Sequence, residues 1–297
     1  MNIPLLLFVY NRPQHTARTL RALEGNVGAS STRLIIFSDG SGGETDIEKV
    51  RQVREVCRQA AGFASVDLVE REENLGVADS VVRGVSEALS GADAVVVMED
   101  DLIASPHFLT FMIGALHAYQ DDPRLLSVSA FVPPRLLMPR PRSFQEDVWL
   151  SRRNLSFGWG VWKDRWASVD WPPAGEQELL RDEKLREAFA RGGRDLPLML
   201  EKQLRGETDS WAIHFSYAHF RQQKYSLLPR DTYIRPIGMD GSGVHCRISP
   251  LGLLSSLRHA KPHPGFPQQL EPHEGMQTAF QKAFDRQTAV ARLLGRV

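Results

Sequence analysis

The chain has 297 residues, 42% of them hydrophobic, enough for a substantial core built as one large domain or as a principal domain with an added lobe. Its 36 basic and 36 acidic residues cancel to a formal charge of zero, which removes nucleic acid as a default partner. Cys57 and Cys246 are too few for a disulfide scaffold and lack C-x-x-C spacing, consistent with a reducing compartment.

The opening MNIPLLLFVYNRPQ has a short apolar run with no basic segment before it and polar Asn11 and Arg12 after it, so it reads as a first strand and not as a leader. Candidate strands at residues 4–10, 34–38, 66–69, 94–98 and 125–130 alternate with helical patterns at 16–23, 47–61, 77–90 and 105–119. Ser105 and Pro106 are the expected N-cap and first position of the last of these helices. The alternation predicts an α/β fold with a mostly parallel sheet covered by helices, in which ligands bind beyond the carboxyl ends of the strands. Two strand ends turn polar at once, IIFSDGSGG and VVVMEDD, and would open on one edge. REENLGVADSVVRGV joins the third strand to a helix whose N-terminus can hold anionic ligand groups.

From Pro133 onward the alternation breaks at Pro133-Pro134 and PRPRS, and the aromatic stretch NLSFGWGVWKDRWASVDWPP follows. This half reads as a substrate-binding extension of the same core. In the tail, Met276, Phe280, Phe284, Ala291 and Leu294 fall near helical spacing and predict a helix that caps the core. No stretch approaches the ~18 apolar residues of a spanning helix, so the expectation is a soluble protein or one attached peripherally to a membrane.

The chemistry concentrates at Glu99, Asp100 and Asp101. Adjacent carboxylates repel one another and resist burial, so their position directly after a buried strand calls for a compensating charge. A hard divalent cation such as Mg²⁺ or Mn²⁺ answers that need, since it takes one or two carboxylates and completes its shell from substrate phosphates and water. A solvated loop or helix N-terminus is the alternative. No G-x-G-x-x-G follows the first strand and no G-x-x-x-x-G-K-[ST] occurs, which disfavours a dehydrogenase or a P-loop enzyme.

The order strand-N-R-P, S-D-G, N-L-G, E-D-D, G-W, D-S-W and G-S-G-V-H resembles a GT-A fold glycosyltransferase. VVVMEDDLIASPHFL, FGWGVWKDRW and TDSWAIHF resemble the branch related to N-acetylglucosaminyltransferase I and bacterial family 2-type sugar transferases. The resemblance implies a Rossmann-like GT-A sheet with a C-terminal acceptor-binding extension. Residues 1–132 would be the nucleotide-sugar-binding half, 133–250 the acceptor-binding and catalytic half, and 251–297 a helical tail. It further implies Mn²⁺ or Mg²⁺ as cofactor, a UDP-sugar donor, a glycan or glycoconjugate acceptor, and cytoplasmic polysaccharide biosynthesis, with the inner face of the membrane as a possible station.

Carried over by position, the resemblance makes Asp101 the metal ligand, Asp100 a contact to ribose or metal-bound water, Glu99 a support for the sugar, and Asp39 the partner of the nucleobase. Val9 and Tyr10 would wall the nucleotide pocket with Arg12 near phosphate, although Arg12 equally suits a helix cap. Asn74 and Arg83 belong to the N-L-G element, where Asn74 and Gly76 alternatively serve a cap and a turn. Asp209 takes the place of the base in an inverting transfer, with Glu207 as fallback; an ordinary N-cap is the competing role. His245 is a candidate second metal ligand or a structural histidine. Trp159, between two glycines, is a candidate acceptor or sugar contact, while core packing accounts for most of the tryptophans. A metal-dependent nucleotidyltransferase and a noncatalytic carbohydrate-binding protein are the competing functions.

Overall fold

The computed structural model describes residues 1–238 and 254–293. Five strands come from the first half: β1 (Leu5–Val9), β2 (Arg33–Ser38), β3 (Ser65–Glu70), β4 (Ala94–Glu99) and β6 (Leu125–Ser129), with a short β5 (Leu102–Ala104) between the last two. The helices among them are α1 (Pro13–Glu24), α2 (Glu44–Arg58), α3 (Gly76–Ser90) and α4 (Phe108–Ala118). The second half adds β7 (Val148–Ser151), β8 (Trp159–Trp162), β9 (Tyr225–Pro229) and β10 (Ile234–Pro236). Its helices are α5 (Lys163–Ala167), α6 (Glu176–Arg181), α7 (Glu183–Phe189), α8 (Leu196–Leu204), α9 (Trp211–Arg221) and α10 (Glu274–Leu293).

Eight strands form one sheet in the order β3-β2-β1-β4-β8-β6-β9-β7. The β3-β2-β1-β4 block and the β6-β9 pair are parallel, and β8 and β7 enter antiparallel. Side chains on a strand alternate between faces, so the uninterrupted apolar run of β1 supplies two cores at once. Leu5, Leu7 and Val9 join Leu34, Ile36, Val96 and Met98 under α1, α2 and α4, whereas Leu6 and Phe8 join Ile35, Phe37, Val95 and Val97 under α3, α5 and α9. A third cluster, Leu179, Phe189, Leu196, Leu200, Ile213 and Tyr217, packs α6 to α8 on the outer side of α9. Because β7, β8 and β9 complete the same sheet, the chain beyond Pro133 is continuous with the core that precedes it.

Buried polar groups tie α9 to the sheet. His219 is fully buried, with Nδ1 2.7 Å from the Phe215 carbonyl and Nε2 2.8 Å from Ser127 Oγ, and Ser127 Oγ is 2.9 Å from Ser226 Oγ. Burial holds this imidazole down at about 4, so it is neutral at pH 7, and the carbonyl partner assigns its proton to Nδ1. In the tail helix Met276, Phe280 and Ala283 are buried and the Phe280 ring meets Trp149 edge-on at 5.3 Å, so this part of the helix packs on the core; the side chains of Ala291 and Leu294 lie outside the described residues.

One local expectation needs correction. Helix α4 starts at Phe108, not at Ser105. Pairing of β5 with β10 extends to Ser105, whose N–H donates to the Tyr233 carbonyl at 2.8 Å while its hydroxyl accepts from His107 N–H, so the backbone is still committed to the strand side of the turn. Trp159 and Trp162 lie on β8 between β4 and β6, and Trp166 lies on α5. A four-residue strand buried throughout shows no alternation from which to be read. Among the described residues no helix is long and apolar enough to cross a membrane.

Candidate active site

Register brings the polar strand ends together. Val9 lies beside Ser38 across β1 and β2, and Phe8 lies beside Glu99 across β1 and β4, so Tyr10 to Arg12, Asp39, and Glu99 to Asp101 emerge side by side. They line a cleft of about 700 Å³ together with Val9, Asn74, Gly76 and Asp209. That volume suits a nucleotide-sized ligand.

One end of the cleft is built around Asp39. This residue is 6% exposed, and its carboxylate accepts from the backbone N–H groups of Gly40 (3.1 Å), Leu75 (3.0 Å) and Gly76 (3.2 Å). Burial pushes the carboxyl upward, opposed by those three donors. The Asn74 side chain donates to the Gly40 carbonyl at 2.9 Å, and Gly40 passes so close to Glu73 that a Cβ there would stand 2.4 Å from its carbonyl carbon. Behind them Arg54 of α2 donates to the Arg71 carbonyl (2.6 Å), the Asp39 carbonyl (3.4 Å) and Ser38 Oγ (3.2 Å), pinning the ends of β2 and β3 to each other. Asn74 is thus a structural brace that also faces the cleft.

Tyr10 forms an adjacent wall. Its hydroxyl donates to Asp46 Oδ2 (2.8 Å) and accepts from Gly42 N–H (2.9 Å), and Asn11 donates to Asp46 Oδ1 (3.0 Å), so β1 holds the Gly-rich turn that starts α2. Lys49 and Gln52 reach the cleft from the same helix, and His15 from α1.

At the other end the three acids occupy different surroundings. Asp100 is 6% exposed and its carboxylate is held by Tyr10 N–H (3.4 Å), Thr16 Oγ1 (3.5 Å) and the Arg12 guanidinium (3.4 Å), while Thr19 donates to its carbonyl at 2.7 Å. Asp101 receives Arg12 Nη2 at 2.8 Å. Burial, with Asp101 and Asp100 adding to it, drives the Glu99 carboxyl well above the carboxylate range; burial does the same to Asp100, with Arg12 opposing. The three clustered carboxyl groups and their all-oxygen donor set fit a hard divalent cation, whose charge would favour their ionised forms, and Arg12 already answers part of that demand. Among the described residues no three His, Cys, Asp or Glu side chains form a ready ion cage, so phosphate and water oxygens would complete the shell.

Asp209 sits two residues before α9 and is exposed, with Oδ2 accepting from Ala78 N–H in the first turn of α3 at 3.3 Å. It therefore caps α3 from outside as well as facing the cleft. The fallback acid is not in the lining: Glu207 is 49% exposed and 3.8 Å from Arg205.

Two further expectations do not match the geometry. Arg83 is 58% exposed and paired at 3.0 Å with Asp79 one turn earlier, outside the cleft lining, because seven residues return it to nearly the helix face of Gly76 but carry it about 10 Å further along the axis. Trp159 is 1% exposed, enclosed by Trp211 at 4.6 Å, Phe215 at 5.5 Å and Trp166 at 5.8 Å, so core packing takes the face expected to meet a sugar. His245 and its neighbour Cys246 lie outside the described residues.

Residues 5–165, more than half of the chain, match glycosyl transferase family 2. The chain belongs to that family. The matched segment contains β1 to β4, Asp39 and the three clustered acids, and ends before Asp209. A search of curated proteins found no match. Solved structures with a similar fold include the mannosyltransferase PcManGT from Pyrobaculum calidifontis in complex with GDP-Man and Mn²⁺, at 17% identity and TM-score 0.39 over 55% of this chain and 45% of that one. S. aureus TarS 1-349 has 12% identity and TM-score 0.45 over 81% of this chain and 62% of that one. Glucosyl-3-phosphoglycerate synthase from Mycobacterium tuberculosis, with Mn²⁺, UDP and glucosyl-3-phosphoglycerate, has 17% identity and TM-score 0.37 over 58% and 60%. The chain thus spans between 45% and 62% of the length of these proteins.

Proposed function

We propose that this family member is a metal-dependent, inverting glycosyltransferase that moves a sugar from a UDP-sugar to a hydroxyl of a glycan or glycoconjugate. The observation that carries the reading is one cleft lined at once by Asp39, the Glu99-Asp100-Asp101 run and Asp209. Motif order supports the narrower likeness to the N-acetylglucosaminyltransferase I branch, and within it the first 132 residues would bind donor while the following segment would receive acceptor.

In this account Asp39 accepts the imide N–H of uracil with the lone pair left by its three backbone donors. Tyr10 and Val9 wall the nucleoside, and Asp100 braces the turn below the ribose. Asp101 would hold Mn²⁺ or Mg²⁺, with Glu99 toward the transferred sugar. The cation, when bound, neutralises charge on the departing diphosphate. Asp209 takes the proton of the acceptor hydroxyl as its oxygen bonds to the anomeric carbon opposite the breaking bond to phosphate.

Product analysis tests the reaction class. Incubation with a UDP-sugar and acceptor extract is expected to release free UDP in step with glycosylated product. Release of pyrophosphate from a nucleoside triphosphate, with no UDP formed, would instead identify a nucleotidyltransferase.

A further inference from the structure

We propose that the Arg12 guanidinium occupies the cation seat at Asp101 until a divalent cation arrives together with a diphosphate, so that metal uptake is coupled to nucleotide uptake. The inference rests on the metal-dependent reading above and adds an order of events to it.

The seat has two fixed acceptors and one movable donor. Asp101 is anchored through its carbonyl, which accepts from Ile237 N–H at 2.8 Å. Gly238 closes over its side chain so tightly that a Cβ there would stand 1.9 Å from Oδ2 and 2.8 Å from Arg12 Nη1. Asp100 is clasped by Tyr10 N–H and by the hydroxyl of fully buried Thr16. Arg12, by contrast, precedes Pro13 at the start of α1, and its long side chain, 22% exposed against 8% for Asp100 and 15% for Asp101, reaches inward from the cleft. Rotation of that side chain removes the internal cation without moving the sheet.

A divalent ion at Asp101 competes for the oxygen that accepts from Arg12 Nη2 at 2.8 Å, and it meets the guanidinium charge as well. Bare metal is thus opposed by an ion pair already made. A nucleoside diphosphate changes the balance, because its oxygens offer the displaced guanidinium a bidentate anionic partner and also bind the metal. The Glu99, Asp100 and Asp101 run sets three carboxyl groups around the one Arg12 charge, so oxygen ligands remain for the incoming ion.

Electron paramagnetic resonance of free Mn²⁺ tests this without any acceptor. The full chain is titrated with Mn²⁺, alone and in saturating UDP, as wild type, Arg12→Gln and Arg12→Met, the last keeping an apolar stem for packing. Both variants are expected to bind Mn²⁺ alone about tenfold more tightly than wild type and to gain less from UDP, a reversal within the usual range of coupling between two ligands. Arg12→Lys should stay nearer wild type because it keeps a charge. Equal or weaker binding of Mn²⁺ alone by Arg12→Gln and Arg12→Met would overturn the proposal. A wild-type protein that takes up no Mn²⁺ even with UDP would overturn the metal-dependent function itself, a distinguishable result.

Discussion

Asp209→Asn is expected to bind a UDP-sugar within about threefold of wild type and to transfer sugar about a thousandfold more slowly, the usual scale for loss of a general base. The amide is the informative replacement because it retains an oxygen for Ala78 N–H, the bond at 3.3 Å by which Asp209 holds α3 in place. Asp209→Ala loses base and cap together, and its melting temperature should fall as well, since losing a cap destabilises by ~1 kcal/mol. The pair of variants separates the two roles. If Asp209 serves only as a cap, Asn will turn over normally while Ala alone is impaired. Steady-state rates alongside melting curves decide between them.

Asp101→Asn is expected to abolish the tightening of UDP by Mn²⁺, an effect of about 100-fold or ~2.7 kcal/mol if the ion bridges carboxylate and diphosphate. UDP binding without metal should be no weaker, because the Asp39 pocket is untouched and the Arg12 guanidinium is released toward the diphosphate. The same substitution keeps an oxygen near Arg12, now 2.8 Å from the carboxylate, so the main chain around Ile237 and Gly238 has no cause to move. Calorimetric titration of UDP with and without Mn²⁺ reads both quantities. A variant whose metal dependence equals that of wild type would move the metal role to Glu99 or to a residue outside the cluster.

Much of this site could be read from local pattern because its acids sit where buried strands stop. In a parallel sheet the strand interior must be apolar on both faces, so SDG closing β2 and EDD closing β4 mark strand ends, and parallel register sets those ends on one edge. Contacts made at a distance left no such mark. Arg54 lies on α2 among other charged residues, and only folding brings it to the carbonyls of Asp39 and Arg71. Thr16 looks like an ordinary helix residue until α1 docks and its hydroxyl meets Asp100, 84 positions away. Gly238 shows its purpose only through Asp101 and Arg12 against it. Trp159 misled for the opposite reason: flanking glycines suggest a ligand's approach, whereas here β8 runs between β4 and β6 and the indole faces Trp211. Arg83 shares a helix with Gly76, but two turns carry it beyond the cleft rim.

The central claim is that the cleft takes a nucleotide-sugar with a divalent cation, and thermal unfolding of the full chain against a panel of nucleotide sugars tests it most directly. A ligand that binds only the folded state stabilises it by mass action, ~2.7 kcal/mol at a hundredfold excess over Kd. The account predicts that a UDP-sugar raises the melting temperature more than its ADP, GDP and CDP counterparts, and that Mn²⁺ or Mg²⁺ enlarges the shift. No shift from any UDP-sugar, with or without metal, would contradict it.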